Sequence, residues 1–178
     1  LITGATGFLG SRLVEKMSTI NGLEILSTGR TLKTQNISNK SNLEYVLGNL
    51  EDTKFIDSLT SGIDTIIHTA ALSSQMGNPK DFHRTNIEVT KNLLKAAKAK
   101  RVKKFIFISS PSVYFRFKHQ LDLKESDILP KPINTYSSSK REAEKLIQSS
   151  GIPHVILRPR ALIGRGDKVI IPRILRAH

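Results

Sequence analysis

The chain has 178 residues, with 28 Lys and Arg against 15 Asp and Glu, and a formal net charge of +13. Because it contains no cysteine, a disulfide framework, thiol catalysis and thiolate metal sites are excluded. The hydrophobic fraction of 38% suffices for one folded core, and no apolar run approaches the roughly 18 residues of a membrane span. We therefore expect a soluble, cytoplasmic protein without a membrane span.

Short apolar segments alternate with helical patterns along the chain. The sequence predicts strands at residues 1–3, 23–28, 43–47, 64–69, 105–108 and 155–157. It predicts helices at residues 8–20, 52–59, 80–100 and 135–149, and from residue 170 onward. The polar segment 31–42 and the proline-bearing segment 111–132 are predicted to be loops. Continuous apolar strands between helices indicate an α/β fold with a doubly wound parallel sheet.

The two ends of the sequence read as interrupted elements. The chain begins with Leu1 inside a strand-like segment and closes on His178 inside a helical pattern. We expect a piece of a longer protein, with a nucleotide-binding domain at residues 1–169 and the start of a substrate-binding region at 170–178.

A dense basic cluster raises the hypothesis of nucleic-acid binding. Its members are Lys95, Lys98, Lys100, Arg101, Lys103 and Lys104. The neighbouring Phe105 and Phe107 fall in a predicted buried strand, so they offer no stacking platform. Lysines at a helix C-terminus also favour the negative end of its dipole. We interpret the cluster as a solvated helix end and expect no nucleic-acid partner.

A glycine-rich segment separates the first strand from the first helix. Gly4, Gly7 and Gly10 form a G-x-x-G-x-x-G run in the strand–turn–helix context that gives this motif its meaning. Such glycines allow a tight turn, a close approach of the backbone to a pyrophosphate and close helix packing. We predict a Rossmann-type dinucleotide site whose residues here are Gly4, Thr6, Gly7, Phe8, Leu9 and Gly10.

Arg30 lies 20 residues after Gly10, just past the second strand. A dinucleotide site usually has an acidic residue there for the ribose 2′-hydroxyl, whereas an arginine suits a 2′-phosphate. We therefore expect NADP to be preferred over NAD.

Three residues form a candidate catalytic group. Tyr136 and Lys140 are spaced i, i+4 on a predicted helix and so share one face. A lysine ammonium near a phenol lowers the phenol pKa toward the range in which it exchanges protons at neutral pH. Ser110 follows the fifth strand, at the carboxyl edge where open α/β folds bind ligands, and its hydroxyl can bond a substrate oxygen.

With these motifs in order, the sequence resembles an extended short-chain dehydrogenase/reductase of the NAD-dependent epimerase/dehydratase type. The resemblance implies further cofactor contacts at Asn49, Leu50, Thr69, Ala70, Ala71, Asn86 and Pro159, in addition to Tyr136 and Lys140. It assigns catalysis to Ser110, Tyr136 and Lys140 and implies no metal. His68 is interpreted as a packing residue, and Arg158 as either an ion-pair partner or a ligand group.

The segment after Tyr114 departs from the pattern of sugar-nucleotide enzymes, which continue V-Y-G, because Phe115 follows here. Residues 158–164 resemble those of 3β-hydroxysteroid dehydrogenases and 2-alkyl-3-oxoalkanoate reductases. The resemblance therefore implies a small-molecule substrate, and we rank a hydrophobic 3-oxo or 3-hydroxy compound above a nucleotide sugar. The alternatives are a nucleotide-sugar 4-epimerase or dehydratase with tightly bound NAD, and a non-catalytic NAD(P)-sensing or RNA-binding member. A homodimer through the helices at 80–100 and 135–149 is also expected.

Overall fold

The computed structural model describes residues 1–31, 40–74, 77–167 and 170–176, which build one parallel sheet with helices packed on it. The strands are β1 (Ile2–Thr3), β2 (Ile25–Thr28), β3 (Leu43–Tyr45), β4 (Thr65–His68), β5 (Lys104–Ile108) and β6 (His154–Leu157). Their order is β3-β2-β1-β4-β5-β6 and all neighbouring pairs are parallel. This is the doubly wound Rossmann order, so the predicted fold class is confirmed.

The helices are α1 (Phe8–Met17), α2 (Thr53–Thr60), α3 (Pro79–Phe82), α4 (Val89–Ala99), α5 (Thr135–Ser149) and α6 (Ile170–Arg176). A π-helical segment, His83–Glu88, joins α3 to α4, and a 3₁₀ turn, Pro111–Tyr114, follows β5. Within the described ranges no helix combines the length and apolar character needed to cross a membrane.

Two apolar clusters cover the two faces of the sheet. The larger joins α2, α4 and α5 to β4 and β5, and Phe105 lies at its centre with Ile66 and Leu93. The smaller packs Val14 of α1 against Ile2 and its neighbours in β1 and β2. Helices on both faces explain why the strands read as nearly continuous apolar runs.

The helix starts follow from local side chains. Asp52 caps α2 by accepting the Lys54 N–H at 2.9 Å, and Asn134 caps α5 by accepting the Ser137 N–H at 2.8 Å. The Ser137 hydroxyl in turn accepts from the Asn134 N–H, which completes a capping box. These caps fix the register of α5 and hence the direction of its inward face.

Several predicted boundaries differ from the structure. The first helix ends at Met17 rather than at residue 20, the second strand begins at Ile25, and the third ends at Tyr45. The helix predicted at 80–100 is interrupted by the π-helical segment, where the Asn86 amide bonds the backbone of Leu72 across a loop. In the loop predicted at 31–42, residues 32–39 lie outside the described residues, as do 168 and 169 at the predicted domain boundary.

The basic cluster near Lys100 lies at the end of α4 that points away from the carboxyl edge of the sheet. Lys100 Nζ is 3.3 Å from Asp57 Oδ1, and Lys103 Nζ is 2.6 Å from Asp64 Oδ1. The side chains of this cluster are exposed or partly exposed, which agrees with a solvated helix end.

Replacing a core aromatic tests the importance of the larger cluster. Phe105 has no exposed surface, so Phe105→Ala is expected to lower the free energy of unfolding by about 3–5 kcal/mol. Phe117, whose side chain is 88% exposed, is the control, and Phe117→Ala is expected to change it by less than about 0.5 kcal/mol. Urea unfolding measures the free energy of unfolding of both variants. Equal decreases in Phe105→Ala and Phe117→Ala would contradict the assignment of Phe105 to the core.

Candidate active site

The predicted glycine turn lies where the strand order reverses, between β1 and its two neighbours. Gly4 follows β1 with φ of +68°, and a Cβ there would be 2.7 Å from the backbone nitrogen of Ala70. A Cβ on Gly10 would be 2.1 Å from the carbonyl oxygen of Gly4. Both positions therefore require glycine, one for its backbone conformation and both for close contact. The turn is closed by the Gly7 N–H, which donates to the Gly4 carbonyl at 2.9 Å.

The turn leads directly into the N-terminus of α1. Gly7 is the N-cap, and it provides no side-chain hydrogen bond to the helix. Thr6, Phe8 and Leu9 flank this helix start and are only partly buried. The first backbone N–H groups of α1 are thus directed at the cleft and carry the positive end of the helix dipole.

The end of β4 packs against this turn. Thr69 Oγ1 donates to the Thr3 carbonyl at 2.7 Å, and the Ala70 N–H donates to Thr3 Oγ1 at 3.4 Å. Further along, the Asn86 side chain accepts from the Leu72 N–H at 2.8 Å and donates to the Leu72 carbonyl at 3.1 Å. Asn86 is buried, so its amide fixes the path of the segment that contains Ala70 and Ala71.

A buried hydrogen-bonded chain runs beneath this segment. Thr90 Oγ1 donates its one proton to the Asn86 carbonyl at 2.7 Å, so it accepts from His68 Nε2 at 3.1 Å. His68 Nδ1 then accepts from Thr3 Oγ1 at 2.7 Å. Burial lowers the pKa of His68 to about 3, with a further lowering from Lys140. His68 is therefore neutral and buried, and its burial agrees with the interpretation of His68 as a packing residue.

The residues after β2 and β3 form the opposite side of the cleft. Gly29 packs against the Thr6 side chain, which brings the exposed Arg30 beside the glycine turn. The Asn49 side chain is exposed and accepts the Glu51 N–H at 3.1 Å. Leu50 packs against the larger apolar cluster, so its side chain supports this edge from within the core.

The candidate catalytic residues meet at the end of β5. Ser110 Oγ accepts the Ser112 N–H at 3.2 Å, and its side chain is close enough to the Tyr136 phenol to lower the pKa of that phenol. The Tyr136 ring packs against the buried Phe82 at a centroid distance of 6.4 Å. Burial raises the pKa of Tyr136, whereas the hydrogen bond from Ser110 lowers it.

Lys140 lies one helical turn after Tyr136 and is almost completely buried. Its Nζ donates to the Ile108 carbonyl at 2.7 Å and lies 4.5 Å from the centre of the Phe107 ring. Burial lowers the pKa of Lys140 to about 8, and Glu144 opposes this lowering. The ammonium is thus held by β5 at the side of the cleft that contains Ser110.

Arg158 follows β6 and makes the ion pair that was one of the two roles expected for it. Its guanidinium bonds both oxygens of Glu144, at 2.9 and 2.7 Å, and donates to the Tyr114 hydroxyl. It therefore serves as an ion-pair partner. Pro159, next in the chain, is half-buried at the same edge of the sheet.

Sequence reasoning missed three residues around the catalytic group. Phe82 packs on the Tyr136 ring, Ser139 joins Asn86 to α5 at 2.9 Å, and Glu144 faces Lys140. Only Glu144 could have been found from the sequence, because it follows Lys140 by four residues and Tyr136 by eight and so shares their helix face.

The described residues fit a dinucleotide. The glycine turn leaves room for backbone-to-phosphate contact, and the N-terminus of α1 offers N–H groups that no side chain caps. The exposed Arg30 supplies a cation on the β2 side, and Tyr136 with Lys140 lies on the β5 side. Within the described ranges, no group of acidic or histidine side chains has the arrangement of a metal site.

The model of the NAD-dependent epimerase/dehydratase family matches residues 1–178. The uncharacterised protein YbjS of Escherichia coli is 36% identical over 98% of the chain and 53% of its own length. The 4-hydroxy-2-methyl-3-oxo-4-farnesyl-3,4-dihydroquinoline-1-oxide ketoreductase of Stigmatella aurantiaca is 28% identical over 99% of the chain and 54% of its own length. The human dTDP-D-glucose 4,6-dehydratase is 33% identical over 98% and 55%. The chain thus spans about half the length of these relatives.

A solved structure with bound NAD shares this architecture. The UDP-glucuronic acid 4-epimerase of Bacillus cereus in complex with NAD superposes with a TM-score of 0.81 at 29% identity, covering 93% of the chain and 57% of the epimerase.

The pH dependence of stability tests the buried state of His68. The ordinary histidine pKa is near 6.5 and that of folded His68 is about 3, so the unfolded chain binds one more proton between these values. The stabilisation that neutral His68 provides is therefore complete above pH 6.5. As the pH falls from 6.5 toward 3, the free energy of unfolding decreases by about 1.4 kcal/mol per pH unit. Unfolding experiments at several pH values should show that the free energy of unfolding depends less steeply on pH in His68→Gln than in the wild-type protein. His119→Gln, at an exposed ring, is the control, and parallel curves for wild type and His68→Gln would contradict a neutral buried imidazole.

Proposed function

Because the chain belongs to the NAD-dependent epimerase/dehydratase family, we propose that it forms the dinucleotide-binding part of an oxidoreductase that interconverts a carbonyl and an alcohol. The observation that carries the proposal is the contact of Ser110 with the Tyr136 phenol, one helical turn from the buried ammonium of Lys140. The bound nicotinamide would exchange a hydride with the substrate carbon.

The residues of this chain would handle the proton and the oxygen. Ser110 would hydrogen-bond the substrate oxygen and orient it toward Tyr136. The Tyr136 hydroxyl would donate a proton to that oxygen during reduction and accept it during oxidation. Burial raises the pKa of Tyr136 and the hydrogen bond from Ser110 opposes this rise. The positive charge of Lys140 would lower that pKa further. Lys140 would also hold the nicotinamide ribose.

The proposed substrate is a hydrophobic 3-oxo or 3-hydroxy compound. Ser110, Phe115 and Leu123 line an open cleft of about 940 Å³, whose lining also contains polar and charged side chains, Arg158 and Arg160 among them. The apolar side chains support an apolar substrate, as does the likeness to a ketoreductase whose named substrate carries a 3-oxo group and a farnesyl chain.

A second candidate is a nucleotide-sugar epimerase or dehydratase with the same three catalytic residues. The likeness to the human dehydratase and to the NAD-bound epimerase favours it. Such an enzyme regenerates its cofactor in each cycle, so a dinucleotide that co-purifies with the complete protein would support this candidate over the first.

The Tyr136→Phe variant of the complete protein tests the catalytic assignment. It removes only the hydroxyl, so cofactor binding should persist while turnover falls by at least about 10²-fold. Steady-state kinetics with a 2-alkyl-3-oxo acid and a reduced dinucleotide measures the loss. Tyr45→Phe, on β3, is the matched control and should retain wild-type turnover. Undiminished turnover of Tyr136→Phe would contradict the role of the phenol.

Arg30 leads us to propose NADP as the preferred cofactor. A charge-assisted bond to the 2′-phosphate should make NADP bind about 10–100-fold more tightly than NAD, and Arg30→Ala should remove this difference. Thermal-shift titration with both dinucleotides at equal concentrations measures it. Lys98→Ala, an exposed cation on α4, should leave the preference intact. Greater stabilisation by NAD than by NADP in the wild-type protein would refute the assignment.

A further inference from the structure

Glu144 is a buried acid for which the proposed reaction provides no role. Its side chain is 3% exposed, and it lies on α5 one turn after Lys140 and two turns after Tyr136. Both carboxylate oxygens accept bonds from Arg158, at 2.9 and 2.7 Å, in the bidentate geometry that is the strongest form of this pair. The pair therefore joins the catalytic helix to the end of β6.

Arg158 extends this connection to the turn that contains the catalytic serine. Its guanidinium donates to the Tyr114 hydroxyl and stacks on the same ring, with 4.7 Å between Arg158 Cζ and the ring centre. Tyr114 is the last residue of the 3₁₀ turn, and the Ser110 side chain caps the start of that turn. Glu144, Arg158 and Tyr114 therefore link α5 to the backbone that carries Ser110.

This linkage spans the two elements whose separation determines the catalytic contact. Ser110 stays close to the Tyr136 phenol only if the separation between the 3₁₀ turn and α5 does not change. The turn makes few other side-chain bonds to the rest of the fold within the described residues, apart from the Gln120 amide, which donates to the Tyr114 carbonyl at 3.0 Å. Fixing Tyr114 from α5 is therefore a direct way to hold Ser110 in place.

The same carboxylate is the counter-charge of Lys140. From β4 the neutral His68 faces the ammonium, and from β5 the Phe107 ring and the Ile108 carbonyl do. From α5 the charged group is Glu144, which raises the pKa of Lys140 against the lowering by burial. Behind Glu144 lies Arg158, whose charge would be uncompensated without the acid.

We propose that Glu144 and Arg158 are positioning residues of the catalytic group, which hold the Ser110 turn against α5 and place a carboxylate one helical turn from Lys140. The inference rests on the proposed function for its effect on turnover. Its effect on the ionisation of Lys140 is independent of the reaction.

Titration of Lys140 in the complete protein tests the electrostatic part. Lysine labelled with ¹³C next to Nζ reports the ionisation by NMR, and the Lys140→Met spectrum identifies the resonance. In Glu144→Gln the midpoint should fall by about one pH unit relative to wild type. Glu142→Gln, an exposed acid on the same helix, should leave it unchanged. Because Glu144→Gln leaves a buried guanidinium unpaired and could prevent folding, the double variant with Arg158→Gln is measured as well, and its midpoint should also fall.

The pH profile of kcat/KM tests the catalytic part. The alkaline limb, where Lys140 loses its proton, should move to lower pH in Glu144→Gln, and kcat should fall about tenfold or more. Tyr114→Phe removes a contact without changing charge, so kcat should fall while the alkaline limb stays where it is in wild type.

An unchanged Lys140 midpoint in both Glu144 variants would overturn the electrostatic role. Wild-type kcat in Tyr114→Phe would overturn the coupling to Ser110. A wild-type protein without turnover would refute the proposed function instead, and the NMR titration would still decide the inference.

Discussion

The site depends on one buried charge, the ammonium of Lys140. A lysine in the interior is costly unless its charge is compensated, and here the Ile108 carbonyl at 2.7 Å, the Phe107 ring and Glu144 surround it. His68, whose ring lies nearby, remains neutral because burial lowers its pKa, and the charge of Lys140 lowers that pKa further. The requirement to keep this ammonium therefore constrains residues on β4, β5 and α5 together.

The parallel sheet converts this local constraint into a cleft. All strands end at one edge, so residues far apart in the chain, such as Gly4, Arg30 and Ser110, meet there. Strand β5 has two roles, since Phe105 closes the larger core and the Ile108 carbonyl holds Lys140. Stability and the geometry of the site are consequently linked through this strand.

Local signals in the sequence predicted much of this, and long-range contacts account for the rest. Helix α5 has the predicted bounds because its cap at Asn134 and its end before Gly151 are encoded nearby. The π-helical segment was not predicted, because it accompanies the contact of Asn86 with Leu72, which only the folded chain brings together. The role of Glu144 required its partner Arg158, which lies on another element. Likewise, composition cannot show that a member of the basic cluster is paired, as Lys103 is with Asp64.

We propose that the charge of Lys140, together with the oxidised nicotinamide, lowers the pKa of the Tyr136 phenol, which burial raises, and so makes this phenol an acid–base group. The direct measurement is the ultraviolet difference titration of Tyr136 with and without the oxidised dinucleotide, in wild type and in Lys140→Met. Tyr136→Phe of the complete protein supplies the reference spectrum for the remaining tyrosines. We expect the dinucleotide to lower the Tyr136 pKa in the wild-type protein, and Lys140→Met to raise it with and without the dinucleotide. A Tyr136 pKa that is the same in wild type and Lys140→Met would refute this role of Lys140.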